Sequence, residues 1–315
     1  MPTICGSSFS VYRDVEEFFE TWKERYDYLT DPTLRVLDIM DEFQLTATFF
    51  IVADTVERYP GLIESIAERG HEIACHGLHH SCVIDHPRLL DFMEDKGRNI
   101  IHRMNKNHFS LVSKSKRPEM SVQKFESDTL KAKQILQKIS GEKVVGYRAP
   151  NALVNGWMLD SLEKIGFEYD SSVSVNSLYK KTDSPLTRVS STPYYPVNNS
   201  LEAGPKRNFI EFPWAYYDIG VKIPTSGGPM LRVFGSSIIL KGLKQSLKRG
   251  HSIFYFHPID ISREKFPKLG KWNSFYWLFK GELIERRVRQ VLRYIKQSGT
   301  KCQRITDIIP YLLEV

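Results

Sequence analysis

The chain is predicted to be an α/β protein, a barrel of about seven or eight parallel strands wrapped by helices. Three observations predict it. Short β-rich runs alternate with helical patterns along most of the sequence, the mark of parallel strands joined by crossover helices. Several of these runs end on a charged or titratable residue, where a barrel collects its reactive groups. The length of 315 residues permits one large domain or two smaller ones, and a barrel would fill it as one, with an open doubly wound sheet as the alternative. Neither common glycine-rich phosphate loop occurs, which weighs against nucleotide binding.

The predicted strands are 46–52, 72–76, 144–148, 209–214 and 252–257, with weaker ones at 8–12, 168–172 and 302–305. Between them, Asp31 and Pro32 suit an N-cap and first-turn position of a helix whose buried face includes Leu34, Leu37 and Phe43. A helix over 60–69 should stop at Gly70, and one over 125–139 at Gly141. Over 282–296, Ile284, Val288, Val291, Leu292 and Ile295 form an apolar stripe opposite Arg286, Arg287, Arg289 and Arg293. A solvated helix face explains that pattern better than a nucleic-acid surface.

Three long segments break the rhythm: 83–119, 176–208 and 259–280. Loops of this length in a compact domain are usually functional or mobile, and all three follow the C-terminal ends of predicted strands. The third carries Trp272, Phe275, Tyr276 and Trp277, flat rings that suit a sugar face, a membrane interface or plain core packing.

Composition narrows the class. A hydrophobic share of 41% and a charged share of 26% are those of a folded globular protein. No run is long and apolar enough to span a membrane, and the first residues lack a secretory layout, so a cytoplasmic location is expected. The cysteines, Cys5, Cys75, Cys82 and Cys302, are too sparse for a disulfide framework. A net charge of +7 could favour anionic partners, a membrane surface among them, although the basic residues are interspersed with acids.

The strongest chemical signal is Glu72-Ile73-Ala74-Cys75-His76-Gly77-Leu78-His79-His80, where a strand runs into two histidines spaced by four. Such spacing can aim two imidazoles, His76 and His80, at one metal ion. The missing carboxylate can come from Asp14-Val15-Glu16-Glu17, since acids two apart on an extended chain share a side. One acid would bind metal and the other take a proton from the attacking water; the competing reading is an acidic surface loop. Two histidines and a carboxylate leave positions open, as catalytic sites do. Cys75 and Cys82 flank the histidines and permit a rival closed site, which would crowd its ligands into one short segment. His79 is expected to be a surface or outer residue. Arg148 and His257, each closing a strand, would add an orienting cation and a general acid, although each alone could equally cap a helix or sit satisfied in the core.

In order and spacing these motifs resemble the polysaccharide deacetylase family, also called NodB-homology or family 4 carbohydrate esterases. The resemblance runs from Ser10 to about Ile259 through Asp14-Val15-Glu16, Ala47-Thr48-Phe49-Phe50, Gly70-His71-Glu72-Ile73, His76 with His80, Arg148-Ala149-Pro150, Tyr169-Asp170-Ser171-Ser172, Glu211-Phe212-Pro213-Trp214, Gly227-Gly228 and His257-Pro258. It implies a distorted (β/α) barrel of about seven parallel strands. One catalytic domain would then span residues 1–315, with an inserted loop at 83–119 and a helical C-terminal tail at 281–315.

The resemblance also implies roles. Asp14 would be the base, Glu16, His76 and His80 the metal ligands, Arg148 the group that positions Asp14, and His257 the general acid, tuned by Glu211 or a neighbour. The backbone N–H of Asn151 would hold the oxyanion, with Trp214 and Glu211 on the substrate side. The implied cofactor is a divalent metal, zinc first, with cobalt, nickel or iron as alternatives. The implied substrate is an N-acetylated glycan or glycolipid, with a cyclic amide or a purely glycan-binding role as alternatives. Two features depart from the family pattern: the acids are separated by Val15, and Tyr12-Arg13 is a polar lead-in to Asp14.

Overall fold

The structure is a computed structural model and describes residues 29–59, 61–80, 121–179, 182, 184–263 and 279–313, without the side chains of Asn151, Tyr179 and Leu313. Its elements run α1 (Thr30–Phe43), β1 (Thr48–Ile51), α2 (Leu62–Glu68), β2 (Glu72–Cys75), α3 (Val122–Ser140), β3 (Gly146–Tyr147), α4 (Gly156–Lys164), β4 (Tyr169–Asp170) and β5 (Ile210–Glu211). There follow β6 (Tyr216–Asp218), β7 (Lys222–Pro224), α5 (Gly228–Leu247), α6 (Pro258–Ile261), α7 (Glu282–Gln297) and α8 (Ile305–Leu313).

Strands β1 to β5 form one parallel sheet in sequential order, and β6 and β7 make a separate antiparallel hairpin. Alternation along the strands divides the core in two. Phe49, Ile51, Ile73, Cys75 and Tyr147 face the larger cluster shared with the surrounding helices. Phe50, Ala74, Tyr169, Ile210 and Phe212 face a smaller cluster closed by Ile305 and Ile309 of α8. Gly146 lets this inner face close: a Cβ there would lie 2.0 Å from Cζ of Tyr169. The Tyr169 ring passes over β3, and its hydroxyl donates to Glu72 Oε1 at 2.8 Å. Glu72 also accepts from Thr48 Oγ1 at 2.6 Å and from the Thr306 N–H at 3.2 Å. It is therefore a satisfied buried acid at the N-terminal end of the sheet, remote from the end where chemistry is expected.

The parallel α/β architecture agrees with expectation, with differences in detail. Five parallel strands are present among the described residues, and strand 8–12 lies outside them. Segment 252–257 is only a partial sixth strand, bridging in parallel to Trp214 through Ile253. Segment 302–305 is not a strand; it clasps the end of β1 through Cys302 Sγ to Thr46 O at 3.4 Å and Ile305 N to Thr48 Oγ1 at 2.9 Å. Asp31 falls within the first turn of α1, whose N-cap is Leu29, so it meets the helix dipole and does not cap it. Gly70 (φ 77°) and Gly141 (φ 70°) follow the ends of α2 and α3 in the left-handed conformation, as expected. Helix α5 and the hairpin were not anticipated; α5 is broken at Gly235 (φ 67°, ψ 177°). In α7 the apolar stripe of Ile284, Val288, Val291, Leu292 and Ile295 is buried as read.

A cavity of about 480 Å³ runs between β1 and residues 250–256, lined by Phe50, Phe212, Leu247, Ile253, Ile295 and Ile305, and reaches Arg148. No helix among the described residues is long and apolar enough to cross a membrane.

Candidate metal and acid–base site

Strand β2 ends at Cys75, and the His76 N–H still bonds Ile51 O at 2.8 Å. Gly77 then turns the chain at φ 86°, a conformation that costs glycine little. The turn is pinned where Ala53 N and Asp54 N bond Gly77 O and Leu78 O, each at 3.0 Å. This brings the His76 and His80 rings to a centroid separation of 5.1 Å, with both side chains buried. His76 Nδ1 lies 2.6 Å from Arg148 O, so Nδ1 carries the proton and Nε2 presents a lone pair. Among the described residues that buried Nε2 has no hydrogen-bond partner, which suits a metal ligand.

Burial, and the charge of His80, hold His76 well below the usual histidine range. Burial, and the charge of His257, push His80 down to about 3. Both rings are thus neutral at physiological pH, the form that binds metal. His79 turns outward to Asp54 Oδ2 at 2.8 Å, as expected of a surface residue. Cys75 faces the core, and burial pushes its thiol up to about 12, against a rival thiolate site; Cys82 lies outside the described residues. Among the described residues no three of His, Cys, Asp or Glu converge on one point.

Arg148 leaves the end of β3 and is fixed by Nε to Ser171 O and Nη2 to Ser171 Oγ, each at 2.7 Å. Its guanidinium lies 4.1 Å from the ring centre of Phe50, 5.0 Å from Tyr255 and 5.3 Å from Trp214. Burial lowers its pKa to about 10, and it remains charged. Trp214 packs against Tyr255 at 4.5 Å between centroids and donates Nε1–H to Ser171 O at 2.8 Å. Trp214 is partly exposed.

Glu211 lies inside the sheet. It is wholly buried, and its Oε1 accepts from Val173 N at 2.8 Å and Ser172 N at 3.2 Å. Its remaining oxygen and Asp170 Oδ2 have no other partner among the described residues, and the two residues are register partners on β4 and β5. Two carboxyls can bond each other only when one holds a proton. Burial raises Asp170 to about 6, and burial together with the Asp170 charge raises Glu211 well above the carboxylate range. The pair therefore carries about one negative charge close to Arg148.

The partner of His257 is Asp260. His257 is the N-cap of α6, with Pro258 in the first turn. Asp260 Oδ2 accepts the His257 backbone N–H at 2.7 Å and lies 3.2 Å from Nδ1. Asp260 Oδ1 pairs with Arg232 of α5. Gly228 allows this approach, since a Cβ there would lie 1.7 Å from Asp260 Oδ2. The signal was present as His257-Pro258-Ile259-Asp260, a histidine with an acid three residues on, and as the glycine pair Gly227-Gly228. Arg232, far off in sequence, carried no signal.

Asp14 and Glu16 lie outside the described residues, as do the segments 83–119 and 264–278. Asn151 belongs to the 3-10 turn Pro150–Ala152 directly after Arg148, next to the carbonyl that holds His76.

The polysaccharide deacetylase family model matches residues 25–169, which include α1 to α4, the first residue of β4, and His76, His80 and Arg148. Residues 25–169 belong to the polysaccharide deacetylase family. A second model, a domain of unknown function (DUF3473), matches residues 183–301. The deacetylase-matched segment reaches β4 and the second segment supplies β5; the two strands pair in parallel, so the boundary between the models crosses one sheet. Asp260, Arg232 and His257 all come from the second.

Among curated relatives, a peptidoglycan-N-acetylglucosamine deacetylase of Bacillus cereus is 33% identical over 69 residues, 22% of this chain and 23% of its own length. The peptidoglycan-N-acetylmuramic acid deacetylase PdaA of Bacillus subtilis is 28% identical over 99 residues, 29% of this chain and 35% of its own length. The chain thus spans well under half the length of the curated relatives it matches. Among solved structures, a polysaccharide deacetylase so named from Mycobacterium smegmatis superimposes with a TM-score of 0.53 at 19% identity, over 89% of this chain and 76% of that one. The Puue allantoinase gives 0.50 at 17% identity, over 88% and 70%. These likenesses establish a shared fold with the deacetylase family.

Proposed function

We propose that the protein is a metal-dependent hydrolase that removes N-acetyl groups from an amino-sugar-containing glycan, free or lipid-linked. The observation that carries this is the buried His76 and His80 pair, held neutral, with His76 Nε2 freed by the bond from Nδ1 to Arg148 O. A purely glycan-binding surface has no use for such a pair beside a buried His–Asp couple.

His76 and His80 would hold the metal with Glu16 as the third ligand. Glu16 as the third ligand rests on the family resemblance of Asp14-Val15-Glu16. A divalent ion bound there would polarise the acetyl carbonyl and acidify a water; the residues suit zinc, cobalt, nickel or iron. Asp14 takes the water proton. Arg148, locked onto Ser171, supplies fixed positive charge next to it, and the Asn151 N–H faces the developing oxyanion. His257 donates a proton to the leaving amine. Trp214 offers a ring face to the sugar. Location belongs to the same proposal: Cys75 and Cys302 are free thiols and suit a reducing, cytoplasmic compartment.

The test is metal content by elemental analysis together with acetate release from N-acetylglucosamine oligomers. We expect about one metal per chain, and release that falls at least ~100-fold in His76→Ala. Metal-free protein that takes up none on titration would overturn the proposal. Allantoin belongs in the substrate panel because the Asp14-Val15-Glu16 spacing keeps a cyclic amide as the second substrate class.

A further inference from the structure

The hairpin of β6 and β7 ends in an exposed apolar tip. Ile219 and Val221 are 60% and 65% exposed, the most exposed of the large aliphatic side chains among the described residues. The turn that holds them out is fixed by Asp218, whose Oδ1 accepts the Gly220 N–H at 3.0 Å. Gln245 straps the tip to α5: its Oε1 accepts the Asp218 N–H at 2.7 Å and its Nε2 donates to Asp218 O at 2.8 Å. Helical spacing puts Lys241 and Lys248 on the same side of α5 as Gln245, and both are exposed. Lys222 and Arg249 lie 5.8 Å and 4.7 Å from the ring centre of Tyr216 at the base of the hairpin.

Few acids balance these charges. Between Asp218 and Asp260 the chain has Lys222, Arg232, Lys241, Lys244, Lys248 and Arg249 and no Asp or Glu. Of these, Arg232 is buried against Asp260. Helix α7 continues the pattern beside α5, held by Ser236 Oγ donating to Gln290 Oε1 at 2.5 Å and by Lys244 at 4.7 Å from the Tyr294 ring centre. Arg286 and Arg293, one turn to either side of Gln290, are exposed. The acids of α7, Glu282 and Glu285, sit at its N-terminal end and pair with Arg263 and with Arg35 and Arg289.

We propose that this face docks on an anionic lipid surface, with Ile219 and Val221 entering the headgroup layer and the lysines of α5 lying against lipid phosphates. The combination of groups selects the occupant. A nucleic acid is held by cations and by aromatic rings that stack on bases, and two aliphatic side chains held out on a turn add nothing to that. A headgroup layer takes both: aliphatic side chains reach below the phosphates while lysines stay level with them. No helix among the described residues is long and apolar enough to cross a membrane, so the attachment is peripheral and sensitive to salt. The inference is independent of the deacetylase reading; where both hold, the surface brings the hydrolase to a lipid-linked glycan.

Co-sedimentation of the full chain with vesicles tests this without any activity. One set is phosphatidylcholine alone and the other contains about one quarter phosphatidylglycerol. We expect binding to the mixed vesicles, little to the neutral ones, and release as salt is raised. Ile219→Ser with Val221→Ser should weaken binding ~10-fold, and Lys241→Gln with Lys248→Gln ~30-fold. Lys131→Gln with Lys138→Gln, the same change in net charge on exposed positions of α3, should leave it within about threefold. Three results overturn the proposal: no binding to the mixed vesicles, equal loss from the two lysine pairs, or binding indifferent to the Ile219 and Val221 changes. A double-stranded DNA fragment is the competing probe; binding to it that matches or exceeds vesicle binding marks a general polyanion surface and also overturns the lipid assignment. Should a variant fail to fold, the vesicle comparison and the DNA probe on the wild-type protein still decide. Vesicle binding without acetate release leaves the lipid assignment standing while the deacetylase reading fails, and acetate release without vesicle binding does the reverse.

Discussion

The Nδ1 atom of His76 lies 2.6 Å from the carbonyl oxygen of Arg148, so the end of β3 fixes the ring at the end of β2. This carbonyl does for His76 what an outer-sphere acceptor does for a metal-binding imidazole: it sets the tautomer and the direction of the free nitrogen. Replacing His76 by Ala should weaken metal binding by more than about 100-fold, whereas His79→Ala, whose ring pairs with Asp54 outside the cluster, should leave it within about threefold. Competition with a chelating dye measures both.

Acid should destabilise the metal-free protein early. His76 is held well below its ordinary value and His80 at about 3, so between pH 6.5 and about 3 the unfolded chain binds protons that the folded state refuses. Stability is unaffected above that window and falls as pH drops through it, with a slope approaching about 1.4 kcal/mol per pH unit for each histidine. Urea midpoints of the metal-free protein between pH 7 and 5 test this, since most carboxylates stay ionised there. His80→Gln should flatten the curve.

Gly146 and Tyr169 are register partners on β3 and β4, and the ring lies where an alanine methyl would go. Gly146→Ala should cost about 3 kcal/mol through overpacking. Adding Tyr169→Phe should not recover it, because the ring stays and Glu72 loses its hydroxyl partner. Chemical denaturation of the single and double variants settles the point.

Glu211 should be replaceable by glutamine and not by leucine. Glutamine keeps an acceptor for Ser172 N and Val173 N and offers Asp170 an N–H in place of the shared proton, so Glu211→Gln should lie within about 1 kcal/mol of wild type at pH 7. Glu211→Leu strands two buried N–H groups and should cost about 2–4 kcal/mol. Because the folded Asp170 value is raised to about 6, the pair's contribution is greatest below pH 4 and is lost as pH rises through 6. Glu211→Gln should alter that dependence, as read from urea midpoints.

Several features were legible because local patterns encode them. The β-rich runs at β1, β2, β3 and β5, the αL glycines after α2 and α3, and the apolar stripe of α7 follow from residue periodicity and backbone sterics. The His76 and His80 pair was equally plain, since four residues and a glycine turn suffice to bring the two rings together. The hairpin and the kinked α5 were not legible, because apolar periodicity in α5 is interrupted at Gly235 and β6 and β7 are short.

Sequence alone thus determined the order of the strands and the chemistry available at their ends: two imidazoles, a guanidinium and a histidine closing the final segment. Only the tertiary structure decided the partners. Glu211 or a neighbour was expected to tune His257; the parallel register of β4 and β5 sets Glu211 beside Asp170. Arg232 reaches Asp260 because α5 packs its first turn against α6 through Gly228. Such pairings depend on which strand ends and helix termini meet in space, and the free energy that selects them is that of burying each charge with a partner.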